Sequence, residues 1–343
     1  MFSTHHKSIA VWLFIVTAMV FFMVILGGVT RLTQSGLSMV NWHPVTGWLP
    51  PLGLAEWEAV FSDYRNSPEY LKVNQGMSLA EFKSIFWFEF THRLLGRLIG
   101  VAFLVPMVVF WIRGWISRQL APKLVVLFIL GGLQGVLGWY MVKSGLVDRP
   151  DVSQYRLAAH LGLALAILAA MLWVALGLVR PAPSATPDIG LKRGVWGLLT
   201  LITLTALSGA FVAGLDAGHI YNTFPLMGGG FIPEGIMALS PFYLNFFENI
   251  PTVQFDHRVL AETTFVAVMV FWWRAGTKQL TTAQGLATKV LASVAVVQVG
   301  LGISTLLLVV PVPLAALHQT GALVLLCIAV WLAHEFRSPD PKR

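Results

Sequence analysis

Charge is scarce in this chain: of 343 residues, 11% are Asp, Glu, Lys or Arg, while 56% are hydrophobic. Soluble domains carry roughly 25% charged residues, so a water-soluble globular enzyme is excluded, as are disordered, collagenous and disulfide-scaffold chains. Cysteine is nearly absent. The one thiol, Cys327, falls inside the last apolar run, without a disulfide partner or companions for an iron–sulfur or zinc cage. HExxH is missing, as are GxGxxG and Walker spacings in a strand–helix context, so neither a zincin nor a nucleotide site is implied. The short alternating segments of an outer-membrane barrel are also missing. Lys and Arg outnumber Asp and Glu by 23 to 16. These basic residues gather at the ends of apolar segments, which reads as membrane topology and not as a nucleic-acid surface.

What the chain does contain is a series of apolar runs, each near the ~20 residues needed to cross the hydrocarbon core. Eight spans are expected: Ile9–Gly28, His92–Trp111, Leu124–Val142, Leu157–Val179, Val195–Gly214, His257–Trp273, Val290–Val310 and Leu314–Glu335. The fold class is therefore an all-α integral membrane protein. His5, His6 and Lys7 precede the first run in the manner of a signal peptide, but the run is long for that role and no A-x-A site follows. It is read as a membrane anchor. Basic residues recur in alternate connections, among them Arg113, Lys123, Arg180, Arg193, Arg274 and Arg337, whereas Leu215 to Asp256 contains no Lys or Arg. The positive-inside rule then puts both termini in the cytoplasm and the long loops Thr30–Thr91 and Leu215–Asp256 outside.

The chain repeats itself. Phe90-Thr91-His92-Arg93 answers Phe255-Asp256-His257-Arg258, Gln134-Gly135-Val136-Leu137-Gly138 answers Gln298-Val299-Gly300-Leu301-Gly302, and Ala159-His160 answers Leu317-His318. A Pro-rich stretch at 181–193 reads as a cytoplasmic linker between the halves. The expectation is two tandem four-helix bundles, 1–180 and 194–343, related by a pseudo-two-fold axis along the membrane normal, because each half has an even number of spans.

His92, His160, His257 and His318 stand at equivalent places near the starts of even-numbered spans. Ionisable side chains at membrane depth are expensive and mark function. Two such residues on different helices of one bundle can approach an iron from opposite faces, as axial haem ligation requires. Zinc competes poorly, because each half supplies two of the four ligands of a structural site; a proton relay is the other reading. Arg93 and Arg258 follow two of the histidines, with Arg97 one turn beyond, and are suited to haem propionates. Gln134 and Gln298 with their flanking glycines permit close approach of a helix or a flat macrocycle. One asymmetry separates the halves: Glu89 precedes His92 by three residues, whereas Gln254 precedes His257. A carboxylate can move protons and an amide cannot.

Gly28-Val29-Thr30-Arg31-Leu32-Thr33, Glu89-Phe90-Thr91-His92-Arg93, Asn222-Thr223-Phe224-Pro225-Leu226-Met227 and Gln254-Phe255-Asp256-His257-Arg258 together resemble the heme A synthase family, closest to its proteobacterial and mitochondrial branch. The resemblance implies oxidation of a ring methyl of haem O to a formyl group, giving haem A for terminal oxidases in a cell inner membrane. It implies that His257 and His318 hold a permanent haem b, that His92 and His160 ligate the substrate haem O, and that Glu89 lies beside the reacting methyl. Some bacterial members carry cysteine pairs in outer loops; this chain has none, so no disulfide-dependent step is expected. Expected partners are haem O, membrane lipid, an unidentified electron donor or acceptor and the haem O-forming farnesyltransferase, with no nucleic acid. The competing readings are a bis-histidine electron-transfer cytochrome without porphyrin chemistry and a parallel-repeat transporter with histidines as proton sites.

Overall fold

The computed structural model describes residues 4–43, 46–146, 152–180 and 188–338. Among them the chain forms α-helices and two 3-10 turns, with no strand. In chain order the helices are α1 (Thr4–Leu32), α2 (Leu54–Arg65), α3 (Pro68–Lys72), α4 (Leu79–Ile112), α5 (Ala121–Gly145), α6 (Gln154–Val179), α7 (Ile189–Gly214), α8 (Asn245–Glu248), α9 (Ile250–Gly276), α10 (Thr282–Leu307) and α11 (Val312–Glu335). All but α2, α3 and α8 are long and apolar enough to cross a membrane. The eight expected spans are all present.

Three of them, α4, α9 and α10, begin well before their apolar runs. At α4 the Ser78 hydroxyl accepts from the Glu81 amide while the Glu81 carboxylate accepts from the Ser78 amide, a reciprocal cap that starts the helix at Leu79. At α9 the Asn249 side chain accepts from the Thr252 amide and Pro251 sits in the first turn. His92 and His257 consequently lie inside their helices and not at the openings, which corrects the expected span starts. His160 and His318 do fall in the second turns of α6 and α11. Of the expected linker 181–193, residues 181–187 lie outside the described residues. Asp188 caps α7 by accepting from the Leu191 amide, so Lys192 and Arg193 belong to that helix's first turns.

Contacts gather the chain into two units, Ala18–Ala164 and a second made of Met1–Thr17 with Leu165–Arg343. In the second, α7 packs on α9, α9 on α10, α10 on α11 and α11 on α7, so that four helices close a ring. In the first, α4 and α5 are packed together, and α2 lies against the N-terminal extension of α4. Aromatic rings make that attachment. Trp57, Phe61 and Tyr64 of α2 repeat at helical spacing and bury themselves against Phe82, Phe86 and Phe90 of α4, with Phe61 stacked on Phe82 at 4.9 Å. Burial of each such ring contributes about 1.5–3 kcal/mol in water. The Tyr64 hydroxyl donates to buried Glu69 at 3.1 Å and accepts from Asn74 at 2.8 Å. The loop reading of Thr30–Thr91 missed this small aromatic core.

Candidate functional site

Each of the four histidines rests against a glycine of a neighbouring helix. A Cβ at Gly27 on α1 would stand 3.2 Å from His92 Nε2, and one at Gly138 on α5 would stand 3.0 Å from His160 Cε1. In the second half, a Cβ at Gly209 on α7 would lie 3.2 Å from His257 Cε1, and at Gly302 on α10 it would lie 2.9 Å from His318 Cε1. The glycines therefore leave the room in which the imidazoles sit. Gly135 and Gly300, the first glycines of Gln134-Gly135-Val136-Leu137-Gly138 and Gln298-Val299-Gly300-Leu301-Gly302, face open space instead.

His257 and His318 confront each other with ring centroids 6.4 Å apart and planes at 87°. Two imidazoles on opposite sides of one metal, each bonded through nitrogen at about 2.0 Å, place their ring centres roughly 6 Å apart. The pair thus has the separation of trans ligands on one iron. Among the described residues no three His, Cys, Asp or Glu side chains gather as a protein-only metal cage. Gln298 and Gln134 play matching parts: the Gln298 amide donates to the His318 carbonyl at 2.9 Å, and the Gln134 amide to the His160 carbonyl at 3.0 Å. Both glutamines hold the backbone of a histidine turn.

Arg93 and Arg258 also match. Arg93 donates to the Met39 and Asn41 carbonyls at 2.8 and 2.9 Å, and Arg258 to the Tyr221 and Thr223 carbonyls at 2.6 and 2.9 Å. Each arginine clamps the connection that precedes its helix. The free donors lie elsewhere: Nε and Nη1 of Arg97 and Nε of Arg258 are buried without partners. Those orphaned N–H groups suit carboxylate oxygens of a bound molecule. Arg97 spends its remaining donor on the His43 carbonyl at 2.6 Å.

The halves part company at Glu89 and Gln254. Glu89 is buried, pairs with Arg93 at 2.5 Å through Oε1, and accepts from the Ser38 hydroxyl and the Met39 amide, each at 2.7 Å, through Oε2. Gln254, equally buried, reverses the polarity, donating to the Ala217 and Ile220 carbonyls at 2.9 and 2.5 Å and accepting from Arg258 at 3.3 Å. Ser38, Met39 and the glycines at 27 and 209 escaped the sequence reading of the site. Their signal was weak, because small and backbone groups have many uses.

Fold and site together define an eight-span, all-helical membrane protein with paired histidines and unsatisfied cationic donors, the class that handles haem. The sequence model of the cytochrome oxidase assembly protein family COX15-CtaA matches residues 10–330. The heme A synthase of Nitrosospira multiformis is 54% identical over 335 residues, covering 96% of this chain and 94% of that protein. That of Rhodospirillum centenum is 53% identical, covering 98% and 90%. The mitochondrial-type heme A synthase COX15 of Bos taurus is 50% identical, covering 95% and 81%. This chain belongs to the heme A synthase family.

Proposed function

We propose that the chain oxidises a ring methyl of haem O to the formyl group of haem A, with the substrate held by His92 and His160 and a resident haem b held by His257 and His318. The observation that carries this reading is the single difference between two otherwise matching clamps, Glu89 in one and Gln254 in the other. His257 and His318 would hold the resident haem, which would supply electron relay there.

The chain's own residues do the rest. Arg97, with buried donors free, orients the substrate by its propionates. A carboxylate presents about four lone-pair sites; three at Glu89 are taken by Arg93, Ser38 and Met39. The remaining one is placed to hold or move a proton beside the ring methyl, whose conversion to the aldehyde is a four-electron oxidation that draws its oxygen atom and its electron acceptor from outside this chain. Gln254 accepts no such proton. Its half is built to hold and not to react.

The same reading places both termini in the cytoplasm of a cell with the chain in the inner membrane, the basic connections inside. The two halves are then domains 1–180 and 194–343. Haem O is apolar, and its transfer from the farnesyltransferase that forms it fits a direct membrane encounter.

The test is purification in detergent, oxidised and reduced spectra, and mass identification of the extracted porphyrins. Protohaem with haem O, haem A or a hydroxylated intermediate supports the synthase reaction. Protohaem alone would favour an electron-transfer cytochrome, and no haem would overturn the histidine pairs.

A further inference from the structure

Each of the four histidines meets a glycine, three through Cε1 and His92 through Nε2, and their ring nitrogens are not held alike. On α7 the residue before Gly209 is Ser208. Its Oγ lies 2.7 Å from His257 Nδ1 and 2.8 Å from the Thr205 carbonyl. A serine hydroxyl has one proton to give, and a carbonyl only accepts. The proton goes to Thr205, and Ser208 meets the imidazole as an acceptor. Nδ1 must then carry the imidazole proton, which leaves the Nε2 lone pair for a metal.

On α1 the residue before Gly27 is Leu26. Its side chain offers no acceptor, and neither ring nitrogen of His92 has a hydrogen-bond partner among the described residues. His160 Nδ1 is buried and equally without a partner. In the other half, His318 Nδ1 lies 3.2 Å from Gln298 Nε2, an amide N–H that donates, so this contact does not fix a proton on Nδ1 as Ser208 does at His257. Of the four rings, His257 alone meets a side-chain acceptor at Nδ1 among the described residues.

We infer that Ser208 is a positioning residue that fixes the ligating tautomer of His257 and makes the C-terminal site retain its haem, while His92, with no such acceptor, is a ligand able to let go. This rests on the proposed function, in which both pairs ligate haem. It also assigns the resident and exchanging sites from hydrogen bonding in this structure. A permanent cofactor needs a ligand locked in orientation and protonation. A substrate that leaves as product needs a ligand without that lock.

Outer partners of ligating histidines are worth about 10–100-fold in metal affinity. The experiment uses the full-length protein in detergent, with Ser208→Ala, Ser208→Thr, Ser208→Cys and His257→Ala. Its readouts are haem content, the rate of haem release to an excess of a haem-scavenging apoprotein, the midpoint potential and the low-spin ferric resonance spectrum. Ser208→Ala is expected to release the C-terminal haem about 10–100-fold faster. Its potential should be more positive, because an imidazole without an acceptor behind it donates less to ferric iron. Ser208→Thr keeps a hydroxyl and should restore both values. Ser208→Cys, close in volume and only a weak acceptor, should also release the haem faster, and that arm stands even if Ser208→Ala fails to fold. Wild-type release, potential and spectrum in Ser208→Ala or Ser208→Cys would overturn the role of Ser208. Full C-terminal haem in His257→Ala would overturn the ligand reading beneath it, a result distinct from failure at Ser208.

Discussion

Replacing Gly302 by alanine puts a methyl carbon 2.9 Å from His318 Cε1 and 3.4 Å from its Nδ1, whereas at Gly300 on the same helix nothing lies within 4 Å. Non-bonded carbons rest best at about 3.5–4.0 Å, so the imidazole or the helix must move by roughly 0.6–1 Å. Alanine is favoured over glycine by about 1 kcal/mol inside a helix. Gly300→Ala should therefore be neutral or stabilising by up to that amount. At Gly302 the same gain is offset by about 1–3 kcal/mol of overpacking. The heavier effect falls on ligation, since binding constellations tolerate displacements of only about 0.5 Å. The expected outcome is at least a tenfold loss of haem affinity, about 1.4 kcal/mol, with the apparent melting temperature little changed. Haem per protein and the Soret spectrum would be read beside thermal melts of both variants. Full haem occupancy with an unaltered spectrum in Gly302→Ala would refute the reasoning, as would equal losses in both.

Glu89→Gln should keep the haem spectrum but stop product formation, measured by porphyrin mass analysis; a fully active variant would remove Glu89 from the chemistry. Gln254→Glu would set a carboxylate against the Ala217 and Ile220 carbonyls. Limited proteolysis should then cut within residues 215–249 faster than in the parent, and an unchanged pattern would count against the clamp. His257→Ala and His318→Ala should remove the resident haem, while His92→Ala and His160→Ala should retain it and lose turnover. Burial and the Glu69 carboxylate hold the Tyr64 phenol above its ordinary range. The unfolded phenol ionises near pH ~10, so this contribution to stability is complete below that pH and is lost as pH rises beyond it. Melting curves of the parent should show that alkaline decline, and Tyr64→Phe should weaken it.

The spans were legible because a run of apolar residues at membrane length has few other uses, and the histidines because they occur twice in the same order. The starts of α4 and α9 were hidden by polarity. Glu81, Lys83 and Glu89 dilute the hydropathy that marks a span, although Ser78 and Glu81 stand at the spacing of a helix cap. Trp57, Phe61 and Tyr64 also repeat at helical spacing, within a segment whose length alone suggested a loop. Gly135 and Gly138 look interchangeable in sequence, and only their phase around α5 puts the second against His160. Arg93 was read as a propionate ligand, but its guanidinium lies on the Met39 and Asn41 carbonyls, while the orphaned donors belong largely to Arg97. Ser208 gave no signal, because a serine inside an apolar helix is common and its histidine is far away in sequence.

The extension of α4 carries a mechanical consequence. From Leu79 to His92 the helix runs unbroken for about 20 Å at ~1.5 Å per residue, and its internal proline, Pro106, lies beyond the histidine. Aromatic rings fasten α2 to that stretch. His92 and the α2 segment therefore ride on one stiff rod with no hinge between them. A tilt of a few degrees at the histidine's level would swing the far end by an ångström or two. A spin label or fluorophore on exposed Glu58 of α2 would register the seating and release of the ligand from a distance, as a needle registers the movement of a pivot it never touches.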